Sequence, residues 1–342
     1  MKDLSPDQLQ LIAKATFTKT AEIGLKHALL NKPFVKKSVK EIVDPGFHDP
    51  ALVVSAGPSL HRAKPIETLK RVGYEGLTIV ACDGALGFLL RNGVIPQYVV
   101  SVDPHPDRIV RWFGDTKLAQ RAPDAYFRNQ DLDPKVGENE RRYNDELVKL
   151  VNQHGPRIKA ILSTSVAPDV TERCIESGMD VYWWNPLYDD VDAPDSFTRK
   201  INAVNKLPCL VTGGNVGSRS YVFTAAILNR PKIGLSGMDF SYAPETPLHM
   251  TQYYDVIKQL YPDNPEEGYI KVHNPHLDKT WYTDPTYFWY RNCFLQLAEA
   301  APEGIETINC TEGGILFGER IGWSTLEGFL KSSLKTAGSS RG

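Results

Sequence analysis

The stretch that most constrains the fold is ALVVSAGPSL, residues 51–60. Its apolar start, Ala51 to Val54, is followed by a segment that contains Gly and Pro. A short apolar run with such an end predicts a buried strand and then a tight turn. A strand, a glycine turn and a helix in succession aim backbone N–H groups at an anion. The stretch therefore predicts either a plain turn or a phosphate-binding turn formed by Gly57, Pro58, Ser59 and Leu60.

Similar apolar runs recur along the chain and alternate with segments that have a helical pattern. The predicted strands after the first one are residues 77–82, 98–102, 159–162, 180–184, 209–211, 232–236 and 306–310. Strands that alternate with helices indicate βαβ units with right-handed connections. We therefore expect an α/β, Rossmann-like fold, in which a mostly parallel sheet carries helices on both faces.

The organisation of the chain follows from shifts in composition. We expect a helical extension and linker over residues 1–45, with a helix at 5–31, and a Rossmann-like domain over 46–330. Within this domain, residues 241–300 are rich in aromatic residues and predict a flap or insertion, which ends in a helix over 283–300. An acidic loop over 189–195 is typical of a lid or a surface excursion. A C-terminal helical segment over 323–335 and a tail over 331–342 are predicted to close the chain.

Composition excludes several classes of protein. The net charge of −2 gives no basic field for nucleic acid. The sequence contains no run of 18 or more apolar residues, so we expect no membrane span. The polar start MKDLSPDQLQ is not typical of a signal peptide. The five widely spaced cysteines indicate reduced, mostly buried thiols. We expect a cytoplasmic protein with no nucleic-acid or membrane partner, and its oligomeric state stays open.

Polar residues follow most of the predicted strands. In open α/β sheets, ligands bind outside the carboxyl ends of the strands, so these residues are candidates for one shared site. Turn formation and helix capping are the alternatives. The candidate residues are Asp83, Gly84, Asp103, Ser163, Thr164, Gly213, Gly214, Asn215 and Asp239.

Taken together, five motifs resemble the MptE-like domain, which archaeal 6-hydroxymethylpterin diphosphokinase shares with bacterial motility accessory factor glycosyltransferases. These motifs are Gly57-Pro58-Ser59-Leu60, Asp83-Gly84-Ala85, Val99 to Pro104, Gly213-Gly214-Asn215-Val216 and Gly237-Met238-Asp239. The late segment Ile308 to Gly314, with the helix from Tyr287 to Leu297 before it, resembles the motility accessory factors more closely. The resemblance covers roughly residues 35–330.

The resemblance implies a Rossmann-like fold near that of bacterial sialyltransferases, which hold a CMP-sugar with a Gly-Pro-Ser-Leu turn. It also implies transfer of a nonulosonic, sialic-acid-like sugar from CMP to flagellin Ser or Thr. The chain is shorter than typical motility accessory factors, so the resemblance indicates the nucleotide more firmly than the acceptor. A protein hydroxyl, a glycan and a pterin all remain open as acceptors.

A CMP-sugar transferase has to stabilise a leaving phosphate and deprotonate an acceptor hydroxyl. The two glycine turns offer backbone donors for the phosphate, and Tyr253 is a further candidate donor. The general base is expected to be His249, Asp239 or Asp103. Histidine suits this role because its unperturbed pKa is about 6.5, although a surface histidine is the alternative for His249.

Two other functions stay open. A diphosphokinase would hold Mg–ATP, and Asp83, Asp103 and Asp239 are then the expected Mg²⁺ ligands. Asp83 also suits a ribose hydroxyl without any metal, and the sequence has no Walker A motif. A non-catalytic nucleotide-binding protein is the third function, with residues 241–290 as a partner surface. We favour the CMP-sugar glycosyltransferase because of Thr311-Glu312-Gly313-Gly314, and expect no cofactor other than Mg²⁺ for the diphosphokinase.

Overall fold

The computed structural model describes residues 20–44, 49–105, 112–120, 140–211 and 213–339. These residues form one nine-stranded sheet and one two-stranded sheet. The strands are β1 (Ala51–Val54), β2 (Thr78–Cys82), β3 (Tyr98–Ser101), β4 (Lys159–Ser163), β5 (Asp180–Leu187), β6 (Cys209–Val211), β7 (Lys232–Ser236), β8 (Ile270–Asn274), β9 (Lys279–Thr283), β10 (Glu306–Asn309) and β11 (Gly322–Trp323).

The large sheet is parallel at every strand pairing and has the order β11-β10-β7-β1-β2-β3-β4-β5-β6. The predicted Rossmann-like α/β fold is therefore confirmed. From β1 the chain moves strand by strand to β6, and then returns to β7 on the other side of β1. This places the topological switch point, where ligands bind in open α/β sheets, between the carboxyl ends of β1 and β7.

Helices cover both faces of the sheet. They are α1 (residues 20–31), α2 (Ser59–Arg62), α3 (Pro65–Val72), α4 (Asp83–Arg91), α5 (Glu140–His154), α6 (Pro168–Glu176), α7 (Phe197–Asn205), α8 (Val216–Val222), α9 (Tyr254–Leu260), α10 (Pro285–Glu299) and α11 (Leu326–Ser339). A π-helical turn, Phe223–Ile227, continues α8. Apolar side chains of α8 and α10 pack on one face, and those of α3, α4, α5, α6 and α11 pack on the other.

Two cores explain why the strands are apolar at every position. In β1, Val53 belongs to the cluster that contains Phe294 of α10, whereas Leu52 belongs to the cluster that contains Phe329 of α11. Successive strand side chains point to opposite faces, so a sheet that is covered on both sides needs an unbroken apolar run. This is the pattern that the sequence shows at Ala51–Val54.

The N-terminal helix is docked on the domain. Residues 20–31 form the last part of the helix predicted over 5–31, and residues 5–19 lie outside the described residues. The side-chain amide of the buried Asn31 donates to the carbonyls of Thr164 and Val166 over 3.0 and 2.9 Å. The extension therefore braces the loop after β4.

The C-terminal end differs from the prediction. Trp323, which was expected to begin the closing helix, lies in β11 and pairs with Asn309 of β10. The helix begins at Leu326 and runs to Ser339, so it includes most of the predicted tail at 331–342. It stays helical because Phe329 and Leu330 are buried in the core under β1 and β2. Helix α7 was not predicted, and it directly follows the acidic loop at 189–195.

The aromatic-rich segment after β7 forms its own small unit. Strands β8 and β9 form an antiparallel hairpin, and the backbone N–H of Tyr242 donates to the carbonyl of Tyr282 in β9 over 3.0 Å. Asn274 at the end of β8 donates to the carbonyl of Gly314 over 2.9 Å. The unit is thereby fastened to the loop that follows β10. None of the helices in the described ranges is long and apolar enough to cross a membrane.

Candidate functional site

The turn after β1 and the loop after β7 meet at the switch point. The backbone N–H of Ser59 lies 3.2 and 3.3 Å from the two carboxylate oxygens of Asp239, and the Ser59 hydroxyl donates to Oδ2 over 2.7 Å. The N–H of Gly57 donates to the carbonyl of Gly237 over 2.9 Å, and that of Leu60 donates to Gly57 over 3.0 Å. The anion that this glycine turn holds is therefore the protein's own carboxylate.

Close packing around Asp239 explains the glycines on either side of it. A Cβ on Gly57 would collide with the carboxylate of Asp239, and a Cβ on Gly314 would collide with the Asp239 backbone. The hydroxyl of Thr311 accepts a hydrogen bond from the N–H of Met238 over 3.1 Å. The late segment from Thr311 to Gly314 thus forms one wall of the switch point.

Asp239 is buried, and its titration reflects this. Burial raises the pKa of Asp239 to about 6, and the hydrogen bonds from Ser59 oppose the shift. The carboxylate holds the β1 and β7 loops together. This geometry identifies Asp239 as a bridge between two strand ends.

The second glycine turn also lies at the switch point. Gly213 and Gly214 have backbone φ angles of +58° and +81°, which residues other than glycine rarely adopt. Asn215 caps α8, because its side-chain oxygen accepts the N–H of Ser218 over 2.9 Å. At Gly217, a Cβ would lie only 2.6 Å from the Ser55 hydroxyl, so the start of α8 packs directly on the end of β1.

Arg219, in the first part of α8, is a site residue that the sequence analysis missed. Its guanidinium carbon lies 5.8 Å from the ring centre of Trp184 in β5. Burial lowers the pKa of Arg219 to about 10, so the side chain remains a cation at neutral pH. The groups that act on it electrostatically are Tyr188, Asp103, Tyr290 and Asp83. The signal in the sequence was a basic residue shortly after a Gly-rich turn, in GGNVGSR.

The two aspartates after β2 and β3 have different surroundings. Asp83 is the first residue of α4, is buried, and accepts the Ser101 hydroxyl over 2.8 Å and the Gly84 N–H over 2.7 Å. Asp103 is half-buried and accepts the N–H of His105 over 2.8 Å. Of the two, Asp103 is the more exposed carboxylate.

The hydroxyl cluster after β4 is engaged within the protein. The Ser163 and Ser165 hydroxyls are 2.7 Å apart, and the Thr164 hydroxyl donates to Asn185 of β5 over 2.8 Å. All three residues of the cluster are fully buried. The Thr164 bond joins the end of β4 to β5, and the Ser165 hydroxyl donates to the carbonyl of Val102 after β3 over 3.2 Å.

The aromatic unit reaches the crevice through α10. A Cβ on Gly214 would overlap the ring of Tyr290, and Tyr290 is hydrogen-bonded to Tyr253. Burial raises the pKa of the Tyr253 hydroxyl well above its usual value. Asp284 caps α10 by accepting the N–H of Thr286 over 2.7 Å. Tyr253 is therefore connected to the second glycine turn.

His249 has a different position. It lies on an exposed 3₁₀ turn, Leu248–Met250, of the same aromatic unit. Within the described ranges, no group of three or more His, Cys, Asp or Glu side chains is arranged to hold a metal ion. Asp83, Asp103 and Asp239 are accordingly not gathered into one ligand set.

Comparisons with known proteins show what part of the chain resembles. Residues 26–121 match the family model described as "6-hydroxymethylpterin diphosphokinase MptE-like", which confirms the resemblance to the MptE-like domain. A protein of Treponema pallidum (strain Nichols), described as uncharacterized, is 30% identical over 100 residues, or 28% of this chain and 46% of that protein.

A solved structure shares the fold over most of the chain. It is that of the MAf glycosyltransferase from Magnetospirillum magneticum AMB-1, with a TM-score of 0.55 and 15% identity. The likeness covers 93% of this chain and 42% of the solved chain. The matched parts thus span less than half of either relative.

Proposed function

We propose that this chain, which carries an MptE-like domain, is a glycosyltransferase that uses a CMP-activated nonulosonic, sialic-acid-like sugar. The observation that carries the proposal is the extent of the fold likeness to the MAf glycosyltransferase, 93% of this chain. Residues Thr311 to Gly314, which resemble the motility accessory factors, form a wall of the switch point. The segment that distinguishes the two kinds of MptE-like protein therefore belongs to the site.

The chemistry of this reaction sets three requirements. The acceptor hydroxyl forms a bond to the anomeric carbon, the bond from that carbon to the phosphate oxygen breaks, and CMP leaves with the electron pair. The acceptor's proton passes to a base. The crevice must therefore hold a phosphate, place a base near the acceptor and shield the reacting carbon from water.

We assign the base to Asp103. It is half-buried and lies close enough to Arg219 to act on its charge. Asp83 and Asp239 are both buried, and their oxygens accept hydrogen bonds from within the protein. His249, on an exposed turn of the aromatic unit, is the second candidate for the base, since this unit contacts the second glycine turn through Tyr290.

The aromatic unit supplies the shielding that the reaction needs. The ring of Tyr290 covers Gly214 of the second glycine turn, and Tyr290 is hydrogen-bonded to Tyr253. Aromatic faces bind nucleobases and sugar rings through stacking and apolar contact. The acceptor in this proposal is a Ser or Thr hydroxyl of a protein. A cytoplasmic location is part of the proposal, and the five free cysteines favour it.

The description of the matching family model favours a second candidate, a diphosphokinase that uses Mg–ATP. Such an enzyme holds Mg²⁺ with carboxylates and phosphate oxygens. No group of three or more His, Cys, Asp or Glu side chains among the described residues is arranged for a metal ion, so this enzyme would hold Mg²⁺ with one or two carboxylates and the phosphates of ATP. A non-catalytic nucleotide-binding protein is the third candidate, and it differs from the first only in lacking turnover.

The test is a panel of CMP, CDP, ATP and AMP, each with and without Mg²⁺, with the melting temperature as the readout. Stabilisation by CMP without metal is the expected result. Stabilisation only by ATP with Mg²⁺ would support the diphosphokinase instead. The release of CMP from a CMP-nonulosonic acid in the presence of a Ser/Thr peptide then separates the enzyme from a binding protein.

A further inference from the structure

We infer that Arg219, and not the turn from Gly57 to Leu60, binds the phosphate of the nucleotide, in a subsite that also contains Trp184, Tyr188 and Tyr290. The identity of the nucleotide as CMP rests on the proposed function. The placement of the phosphate rests on how the two glycine turns are built.

The hydrogen-bond donors of the first glycine turn are already engaged within the protein. The Ser59 N–H and hydroxyl both bond to Asp239, and the N–H groups of Gly57 and Leu60 bond to backbone carbonyls. A phosphate in this turn would displace Asp239 and leave a buried carboxylate without its hydrogen bonds. That outcome is costly, because an unpaired buried charge loses its solvation without compensation. The turn therefore positions β1 and β7, and the phosphate needs another partner.

Arg219 meets the requirements of that partner. It lies near the start of α8, which packs on the end of β1 at the switch point. Arg219 is half-buried, and its guanidinium lies over the ring of Trp184 within the range of a cation–π interaction. A guanidinium matches a phosphate with paired N–H donors, and partial burial strengthens the attraction.

Neighbouring groups add donors and balance the charge. Burial raises the pKa of the Tyr188 hydroxyl, so it stays protonated at neutral pH. It donates to the carbonyl of Thr20 over 3.4 Å, a long hydrogen bond that a phosphate oxygen could replace. The indole N–H of Trp184 is buried and has no acceptor in the part of the chain that the structure describes. Asp103 supplies negative charge near Arg219. The cluster thus combines a fixed cation with donors around it.

The experiment compares the binding of CMP and of cytidine, which lacks the phosphate, by calorimetry. We expect Arg219→Gln to weaken CMP binding at least tenfold and to leave cytidine binding unchanged. Arg219→Lys keeps the charge but loses the paired donors, so it should give an intermediate loss. The matched control is Arg71→Gln, because Arg71 is an exposed arginine that pairs with Glu327 over 2.9 Å. It should bind both ligands like the wild type.

The possible outcomes separate this inference from the proposed function. If Arg219→Gln folds and binds CMP as tightly as the wild type, the subsite is wrong while the proposed function stands. If the wild type binds neither CMP nor cytidine, the proposed function is wrong, and pyrophosphate becomes the probe. Pyrophosphate binding that is lost in Arg219→Gln supports the subsite. Pyrophosphate binding that is missing, or that does not depend on Arg219, overturns the subsite. If Arg219→Gln does not fold, Arg219→Lys and Tyr188→Phe are measured in its place. Unchanged CMP binding in both of these variants would also overturn the proposed subsite.

Discussion

The hydroxyl of Ser59 donates to Oδ2 of Asp239 over 2.7 Å, across 180 positions of the sequence. This bond joins the loops after β1 and β7, the two strands that flank the switch point. The nearest anion to the first glycine turn is therefore an internal one. The contact between these two loops therefore depends on the carboxylate of Asp239, whose pKa differs between the folded and the unfolded chain.

The first prediction concerns that ionisation. Burial raises the pKa of Asp239 from 3.8 to about 6, so the folded protein binds this proton more tightly than the unfolded chain does. The stability that the group contributes is therefore greatest below pH 4 and falls as the pH rises towards 6. Asp239→Asn removes this dependence. Urea denaturation should show the wild type losing stability relative to Asp239→Asn between about pH 4 and pH 6.

Asp239→Ala provides the control for the hydrogen bonds themselves. It leaves the buried N–H and hydroxyl of Ser59 without their acceptor, which costs about 1–3 kcal/mol of unfolding free energy relative to Asp239→Asn at every pH, because neither variant titrates at this position. A constant difference between the wild type and Asp239→Asn across the whole pH range would show that the pKa of Asp239 is not raised.

The second prediction tests the close approach of the first turn to Asp239. In Gly57→Ala, the new methyl group overlaps the carboxylate of Asp239 and lies 2.5 Å from the Gly237 carbonyl. We expect a loss of about 2–4 kcal/mol of unfolding free energy, because neither neighbour is able to move aside. Gly322→Ala is the matched control, since its nearest neighbour would be 3.5 Å away. Equal melting temperatures for the two variants would contradict the predicted overlap.

The third prediction concerns a buried ion pair that holds the linker before β1. The Arg230 guanidinium bonds to Asp44 over 2.5 Å, and its Nε and Nη1 atoms are buried without a partner among the described residues. Asp44→Ala should cost about 3–5 kcal/mol, because it leaves a buried cation unpaired. The double variant Asp44→Ala/Arg230→Met should recover part of that loss in urea denaturation. A double variant no more stable than Asp44→Ala would show that the unpaired charge is not the cause.

Sequence reasoning was most successful where one local signal suffices. The apolar runs predicted the large sheet, and only the short β11 at Gly322–Trp323 was missed. A two-residue strand has no periodicity to detect, and its extended backbone depends on pairing with Asn309. Helix α7 was missed for a related reason. Its start depends on Asp189, which lies eight residues before Phe197.

The site was harder to predict than the fold. The strand-end rule predicts a site at one edge of the sheet, but residue type does not reveal whether a donor is already engaged. The Ser59 turn looks like an open anion site until Asp239 is placed beside it. Conversely, Arg219 looks like an ordinary helix residue until Trp184 lies beneath it. Both relationships join distant parts of the chain, so only the folded structure shows them.

The fourth prediction concerns the acidic loop before α7. Burial acts to raise the pKa of Asp189, but hydrogen bonds from the Phe197 N–H, the Ser196 hydroxyl and Thr198 outweigh it and hold the pKa below its usual value. A lowered pKa gives stability that is present above pH 4 and is lost as the pH falls. Asp189→Ala should cost about 1–2 kcal/mol at pH 7, as expected for a lost helix cap.

The pH dependence of this variant distinguishes capping from a packing effect. The stability difference between the wild type and Asp189→Ala should shrink as the pH falls below about 4, because the carboxylate of the unfolded chain is protonated there. Asp192, in the same loop, is exposed and provides the control variant Asp192→Ala, which should be close to neutral. A difference that stays the same at pH 3 and pH 7 would exclude a role for the ionised carboxylate.

The fifth prediction concerns the base that we assign to the proposed transfer reaction. Asp103→Ala removes a half-buried carboxylate that accepts one N–H, that of His105, in the loop after β3. We expect a small change in melting temperature, retained CMP binding and a loss of about 10²–10⁴-fold in the transfer rate. His249→Ala is the comparison, because His249 is exposed and should matter little. If His249→Ala abolishes transfer while Asp103→Ala does not, the aromatic unit supplies the base and Asp103 only balances the charge of Arg219.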